Sequence, residues 1–203
     1  MAFFSQGGSI TVITGCMYSG KTDELLRLVR RAEIAGRRVI VIDHAVNDRI
    51  GGGQIRSRSN ATADATALAT SAEIPAIVAA GRAQVIAIEE AQFFDQGLVN
   101  VVARLASEGR QVIVSGLDTD FAARPFGPMP ALLAIADDVR KLTAICHVCG
   151  SEQATRTQRL IDGVPVTDPD APLVVIGGMD GDSEAHVESY EARCRRCYVH
   201  RGE

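Results

Sequence analysis

The stretch Gly15-Cys16-Met17-Tyr18-Ser19-Gly20-Lys21-Thr22 satisfies the pattern G-x-x-x-x-G-K-[ST] and decides how the surrounding sequence is interpreted. Residues 10–14, before it, form a β-branched run typical of a strand, and residues 21–35, after it, have the apolar spacing of a helix. In this order, glycines let the backbone curl so that N–H groups point at phosphate oxygens beside a helix N-terminus. We therefore predict a phosphate-binding loop; the alternative is a chance glycine turn.

Two acidic residues follow another apolar run and complete the predicted phosphate site. Glu89 and Glu90 come directly after residues 85–88, and parallel sheets place ligand sites beyond the carboxyl ends of their strands. Lys21 is expected to neutralise phosphate charge, Thr22 to bind Mg²⁺, and one acid to hold the same ion through water. The second acid could accept the proton of an attacking hydroxyl. The alternative is a pair of solvated acids at a strand end.

Short apolar runs alternate with helical patterns along the first two thirds of the chain. Residues 39–42, 85–88 and 112–114 are predicted strands, and a helical face lies between the last two. Continuously apolar strands separated by helices are typical of a sheet buried on both faces. We predict an α/β fold, namely a P-loop (RecA-like), mostly parallel sheet flanked by helices. Residues 44–60, which include three consecutive glycines, are predicted to form a mobile loop.

The C-terminal region has a different character, with two Cys-x-x-Cys pairs and several prolines. Cys146, Cys149, Cys194 and Cys197 have the spacing of a structural zinc site; a redox pair is the alternative. Nearby histidines are expected to be solvated neighbours, not ligands. We predict a small zinc-binding lobe that carries a lid, with domains at residues 1–144 and 145–203.

Length and charge restrict the classes of function that need consideration. A chain of 203 residues with 46% hydrophobic content holds one α/β domain and a small appendage. Its net charge of −4 argues against nucleic-acid binding, which requires a basic surface. No apolar run reaches the length of about 18 residues that spans a membrane, and the first residues do not resemble a secretion signal. We expect a cytoplasmic protein that binds neither nucleic acid nor membrane.

Phenylalanines follow two of the predicted strands. Phe93 and Phe94 come after Glu89-Glu90, and Phe121 and Phe126 come after residues 112–114. They could form an apolar slot for a flat base; core packing is the alternative. Cys16, inside the predicted phosphate loop, is interpreted as a small filler side chain.

Several shorter runs join these motifs in a characteristic order. They are Asp48-Arg49, Ser57-Arg58, Glu89-Glu90-Ala91-Gln92-Phe93-Phe94, Gly116-Leu117-Asp118-Thr119-Asp120-Phe121, Pro125-Phe126, Thr157-Gln158-Arg159-Leu160, Ile176-Gly177-Gly178 and Tyr190-Glu191-Ala192-Arg193-Cys194. With the loop at residues 15–22 and the four cysteines, this order resembles the type II thymidine kinase family of cytosolic human and bacterial enzymes. The resemblance covers almost the whole chain. This sequence departs from the family at Glu89 and Asn47, where Asp is usual. The segment at residues 179–189 is also longer than the corresponding segment of the family.

The resemblance implies roles for individual residues. Glu90 corresponds to the general base that takes the proton of the 5′-hydroxyl, and Thr22 and Glu89 to the magnesium site. The implied ATP-binding residues are Gly15, Cys16, Met17, Tyr18, Ser19, Gly20, Lys21, Thr22, Asn47, Asp48, Arg49, Glu89, Ala91 and Gln92. The implied substrate-binding residues are Met17, Phe93, Phe121, Thr157, Leu173, Val174, Val175, Ile176, Gly177 and Tyr190. The last six belong to a lid expected to become ordered over the base.

The resemblance also implies an activity and partners. The expected reaction is transfer of the γ-phosphoryl group of ATP to the 5′-hydroxyl of thymidine, and also of deoxyuridine, with structural Zn²⁺ and with Mg²⁺. A homotetramer and feedback inhibition by dTTP are further expectations. The alternative is a zinc-ribbon P-loop ATPase acting on a macromolecular partner, against which the acidic balance of the chain argues. A non-catalytic zinc-binding module is a third alternative, and it leaves the phosphate loop without a use.

Overall fold

The computed structural model describes residues 7–47, 53–168, 171 and 187–200. The strands are β1 (Ser9–Thr14), β2 (Val39–His44), β3 (Gln54–Arg56), β4 (Thr62–Asp64), β5 (Thr66–Leu68), β6 (Val85–Ile88), β7 (Gln111–Gly116), β8 (Asp138–Lys141), β9 (Arg156–Ile161), β10 (Val164–Pro165) and β11 (Glu188–Arg193). The helices are α1 (Lys21–Ile34), α2 (Ile74–Ala80), α3 (Gly97–Ser107) and α4 (Met129–Ile135). Short 3₁₀ turns lie at Ala45–Asn47, Ser71–Glu73 and Ala91–Phe93.

Six strands form the main sheet in the order β5-β2-β6-β7-β1-β8, and each neighbouring pair is parallel. The predicted α/β fold with a mostly parallel sheet is therefore confirmed. Thr14 is in register with Gly116, and Ile88 with Val114. Strands β1, β6 and β7 thus end at one edge of the sheet, where parallel α/β folds place their ligand sites.

The apolar strands are buried because they alternate between two cores. In β6, Val85 and Ala87 pack with the buried face of α1, whereas Ile86 and Ile88 pack with residues of α2, α3 and α4. All four side chains are fully buried. Helices on both faces of the sheet explain why its central strands are continuously apolar rather than alternating.

Several elements were not predicted from the sequence. β3 and β4 form an antiparallel hairpin, so part of the predicted loop at residues 44–60 is regular structure. β5 is only three residues long, and β8 carries Asp138, Arg140 and Lys141. Charged residues suit a strand at the edge of a sheet, where they discourage pairing with another chain, but they hide the strand from a search for apolar runs.

The chain groups into two compact units. The first is drawn from Met1–Thr14, Gly20–Asp118 and Phe126–Leu142, and it contains the six-stranded sheet. The second is drawn from Gly15–Ser19, Thr119–Pro125 and Thr143–Glu203. The predicted domains at residues 1–144 and 145–203 stay a prediction.

The second unit is organised around a small sheet and a compact cluster. β10, β9 and β11 form an antiparallel sheet, in which Thr157 is in register with Ala192 and Arg159 with Tyr190. Cys16 and four residues of the C-terminal segment, among others, form the buried cluster, namely Ala144, Cys146, Ala154 and Cys194. In the described part of the chain, no helix is both long and apolar enough to span a membrane.

Candidate active site

The loop between β1 and α1 has the strand–loop–helix arrangement that its sequence pattern predicts. Gly15, Tyr18 and Gly20 have φ angles of 142°, 69° and 85°. The left-handed conformation at Gly20 lets the chain turn directly into α1 without the strain that a side chain would add. Lys21 and Thr22 therefore lie in the first turn of the helix, where the dipole favours anions.

Glu89 is a buried carboxylate beside that helix turn. Its side chain is 3% exposed, and the Thr22 hydroxyl donates a hydrogen bond of 2.5 Å to its Oε1. Burial, and next the charge of Glu90, raise the pKa of Glu89 to about 7, while the hydroxyls of Ser115 and Thr22 and the Lys21 charge oppose this rise. Its Oε2 has no hydrogen-bond partner among the described residues.

The Thr22–Glu89 pair fits a magnesium site. Mg²⁺ prefers hard oxygen ligands, and both side chains offer them at the end of the phosphate loop. A divalent cation would compensate the charge of this buried carboxylate, whose Oε2 makes no hydrogen bond among the described residues. Although Glu89 has one methylene more than the Asp that is usual in the family, its carboxylate still contacts Thr22 of the phosphate loop.

Glu90 follows in an unusual backbone conformation. Its φ of 51° and ψ of 40° are left-handed, and the 3₁₀ turn Ala91–Phe93 begins directly after it. For a residue with a side chain this conformation costs on the order of 1–3 kcal/mol, and such strain is concentrated at functional sites. The Gln92 amide donates a hydrogen bond of 2.5 Å to Oε2 of Glu90.

The predicted aromatic slot is only partly assembled within the first unit. Phe93 and Phe126 make an edge-to-face contact with ring centroids 5.6 Å apart, whereas Phe94 is buried in the main core. His44, at the end of β2, contacts both Phe93 and Phe94. Burial lowers the pKa of His44 and so favours the neutral form of its ring.

In the second unit, the first half of the loop contacts β9 and β11. The Met17 N–H donates a hydrogen bond of 3.0 Å to Thr157 Oγ1, and the Tyr18 hydroxyl donates one of 2.8 Å to the Tyr190 carbonyl. The Cys16 thiol lies 3.3 Å from the Ala154 carbonyl and is buried, in line with its interpretation as a small packing residue. Three predicted substrate residues, Met17, Thr157 and Tyr190, are thus brought together.

Phe121 belongs to the same unit. Its ring lies 5.4 Å from the Arg159 guanidinium carbon, and its carbonyl accepts a hydrogen bond of 2.5 Å from the buried Tyr198 hydroxyl. Arg159 is itself buried and forms an ion pair of 3.0 Å with Glu188. Phe121 is therefore held at both its ring and its backbone.

The four cysteines form one cluster. The sulfur atoms of Cys146, Cys149, Cys194 and Cys197 all lie within 4.8 Å of one another, and Cys149 Sγ lies 3.8 Å from Cys194 Sγ. Zinc with Zn–S bonds of about 2.3 Å separates tetrahedral sulfurs by about 3.8 Å. The Cys194 N–H also points at Cys146 Sγ from 3.4 Å, as expected for a thiolate ligand. The four sulfur donors therefore fit a closed, structural metal site, such as a site for zinc.

The neighbouring histidine is engaged elsewhere. The Ala192 N–H donates to His147 Nδ1 at 3.1 Å, and the His147 ring makes an edge contact with Tyr18. The described residues contain no other group of three or more potential metal ligands of this kind. The group consists of the four cysteines that the sequence predicts as metal ligands.

The chain is similar in sequence to known proteins over its whole length. The sequence model of the family described as "TK: Thymidine kinase" matches residues 8–198. Two thymidine kinases of Halobacterium salinarum, from strains ATCC 29341 / DSM 671 / R1 and ATCC 700922 / JCM 11081 / NRC-1, are 46% identical over 207 residues, covering 100% of both chains.

The chain belongs to the thymidine kinase family.

The predicted resemblance to thymidine kinases is therefore confirmed. Among solved structures, the X-ray structure of the Legionella pneumophila ATPase DotB is similar with a TM-score of 0.42 and 17% identity, over 65% of this chain and 35% of that chain.

One pair of charged residues in this thymidine kinase family member was missed at the sequence level. Asp118 follows β7 and is buried, and Lys141 ends β8 beside Thr14; their side chains form an ion pair of 2.7 Å. Asp118 stands in one of the runs that carry the family resemblance, so its position after an apolar strand was the available signal. Nothing in the sequence identifies Lys141 as its partner.

Some predicted residues lie outside the described part of the chain. These are Asp48, Arg49, Leu173, Val174, Val175, Ile176 and Gly177, together with most of residues 179–189. Asn47 ends a 3₁₀ turn, Ala45–Asn47. The lid and the loop that approaches ATP stay predictions.

Proposed function

We propose that this chain is an ATP-dependent thymidine kinase that transfers the γ-phosphoryl group of ATP to the 5′-hydroxyl of thymidine, giving dTMP. The observation that carries the proposal is the pair of acids at the end of β6. Glu89 is hydrogen-bonded to Thr22 of the phosphate loop, and Glu90 is turned by a left-handed backbone. These observations support a magnesium-binding role for Glu89 and a general-base role for Glu90.

The protein's part in the reaction is mainly positioning and charge compensation. Lys21 and the backbone N–H groups of the loop bind the phosphates of ATP. Bound Mg²⁺, held by Thr22 and Glu89, would compensate charge that develops on the phosphate oxygens. Glu90 accepts the proton of the 5′-hydroxyl. The hydroxyl oxygen then forms a bond to the γ-phosphorus, while the bond between this phosphorus and the β,γ-bridging oxygen breaks and ADP leaves.

Further assignments rest on the family resemblance. We propose zinc as the metal of the four cysteines, Phe93, Phe121, Thr157 and Tyr190 as thymidine contacts, and deoxyuridine as a second substrate. A homotetramer, inhibition by dTTP and a cytoplasmic location belong to the same proposal. Light scattering of the purified protein and inhibition by added dTTP test the first two of these three.

A substrate panel tests the proposed reaction. The protein is incubated with ATP, Mg²⁺ and each common deoxynucleoside in turn, and the products are identified by mass spectrometry. We expect dTMP and ADP in equal amounts, with Lys21→Ala as the inactive control. ADP formed without any nucleoside product, and stimulated by DNA, would instead support a P-loop ATPase that acts on a macromolecular partner.

A further inference from the structure

Gln92 stands out because it is a fully enclosed polar side chain within the predicted site. Only 2% of its surface is exposed, although it belongs to a short turn that follows the acidic pair. A buried amide requires partners for its oxygen and its nitrogen, since each unmade hydrogen bond costs roughly 1–3 kcal/mol. The hydrogen-bond partners of the Gln92 amide therefore indicate its role.

Each end of the Gln92 amide has one defined partner. Its Oε1 accepts a hydrogen bond of 2.9 Å from the Leu117 N–H, and its Nε2 donates one of 2.5 Å to Oε2 of Glu90. A backbone N–H can only donate, so it fixes the amide oxygen toward Leu117 and the NH₂ group toward Glu90. The orientation of the amide is thus set by the backbone that follows β7.

Two glycines enclose Gln92. A Cβ at Gly116 would lie 2.7 Å from Gln92 Oε1, and one at Gly127 would lie 2.1 Å from the Gln92 carbonyl oxygen. Gly127 also has a φ of 52°, which disfavours any side chain there. Gln92 is therefore closely packed by these two glycines on both its backbone and its side-chain sides.

We infer that Gln92 is a positioning residue that holds the Glu90 carboxylate in the orientation needed for proton transfer. This inference rests on the proposed function. A free glutamate side chain has several rotatable bonds, whereas a general base must be within hydrogen-bond reach of one hydroxyl. The Leu117–Gln92–Glu90 relay ties that orientation to the sheet, so Gln92 acts through Glu90 and not on ATP.

Two variants separate this role from direct ATP binding. Gln92→Leu and Gln92→Met keep a side chain of similar size but remove both hydrogen bonds, the one donated to Glu90 and the one accepted from Leu117. For both we expect kcat to fall by about 10²-fold, the scale of loss that misplacement of a reacting group produces. The KM values for ATP and thymidine should change by less than about threefold, because ground-state binding is not affected.

A double-mutant cycle distinguishes positioning from general loss of structure. Once Glu90→Gln has removed the base, adding Gln92→Met should lower kcat by less than about twofold, because the interaction has already been lost. Val102→Ala, in the core at α3, is the control for destabilisation: it should lower the melting temperature and leave kcat unchanged.

The possible results are distinct. A raised KM for ATP at unchanged kcat would overturn the inference in favour of a direct ATP contact, and additive losses in the cycle would overturn it in favour of a purely structural role. If the wild-type protein makes no dTMP, the proposed function itself has failed. If wild type makes dTMP and both Gln92 variants retain full kcat, only the positioning role is wrong.

Discussion

Thr22 and Glu89 are joined by a hydrogen bond from the threonine hydroxyl to carboxylate Oε1, which links the first turn of α1 to the end of β6. The second carboxylate oxygen is buried without a hydrogen bond among the described residues. The same carboxylate has its pKa raised to about 7, first by burial and then by Glu90. Its protonation should therefore depend on whether a cation is bound, and this is measurable.

The pH dependence of stability provides the first test, on protein without Mg²⁺ or nucleotide. Between about pH 4.5 and 7, Glu89 keeps its proton in the folded state, whereas the unfolded chain has lost it. Folding then takes up a proton, so this group's contribution to the free energy of unfolding is present below that range and is lost as pH rises through 7. The Gln side chain of the Glu89→Gln variant is neutral throughout this pH range, so the variant does not lose this contribution to the free energy of unfolding.

The measurement is the melting temperature of Glu89→Gln minus that of wild type, followed from pH 5 to pH 8. The difference should increase with pH, and Mg²⁺ with ATP should reverse it at pH 8 by binding the charged carboxylate. Because both proteins share all other titrating groups, the difference in melting temperature removes the contributions of those groups. An equal difference at both ends of the pH range would show that the Glu89 carboxyl is not held neutral by burial.

Glu90→Gln should remove the proposed general base while leaving the binding of ATP and thymidine almost unchanged. Loss of a general base lowers turnover by on the order of 10²–10⁴. Single-turnover kinetics and calorimetric binding measure the two effects separately, and Glu33→Gln, on the exposed side of α1, is the matched control with normal turnover. If Glu90→Gln keeps most of its turnover, Glu90 is not the base and Glu89 becomes the candidate.

Lys21→Ala should weaken ATP binding and turnover together, because in the proposed mechanism the lysine charge faces the phosphates in the ground state and in the transition state alike. Arg30→Ala removes the same charge from an exposed position on the same helix and should behave as wild type. Calorimetric titration with ATP decides the matter. Unaltered ATP affinity in a folded Lys21→Ala protein would mean that residues 15–22 do not form the nucleotide site.

The cysteine cluster should hold one zinc per chain, and removal of the metal should affect Met17. The Met17 N–H is bonded to Thr157 on β9, whose neighbour β11 leads into Cys194. After chelation we expect faster hydrogen exchange at the Met17 amide, with the amides of β7 unchanged. Metal analysis gives the stoichiometry.

Thr157→Val is the matched variant for this test, because it removes the acceptor hydroxyl and leaves the cysteines intact. It should accelerate exchange at Met17 while zinc is retained. If neither chelation nor Thr157→Val alters exchange at Met17, the hydrogen bond to Thr157 does not hold this part of the loop in solution.

The sequence allowed prediction of those features that depend on local pattern. The loop at residues 15–22, the apolar strands and the two cysteine pairs each have a recognisable spacing, and the order of the motifs indicated the family. Strands β5 and β8 were missed because one is short and the other is charged at the edge of the sheet. Contacts such as Asp118–Lys141 and Gln92–Leu117 join residues more than 20 positions apart, and no local pattern encodes them.

The position of β1 in the sheet has a kinetic consequence. Its two neighbours are β7 and β8, so Ser9 pairs with Gln111 and Thr11 pairs with Asp138. During synthesis on the ribosome, the apolar residues of β1 therefore remain without either partner until more than half of the chain has been made. Such late, long-range pairing slows folding and leaves an aggregation-prone strand exposed. Chaperone dependence of the newly made chain should accordingly be greatest before residue 111 emerges.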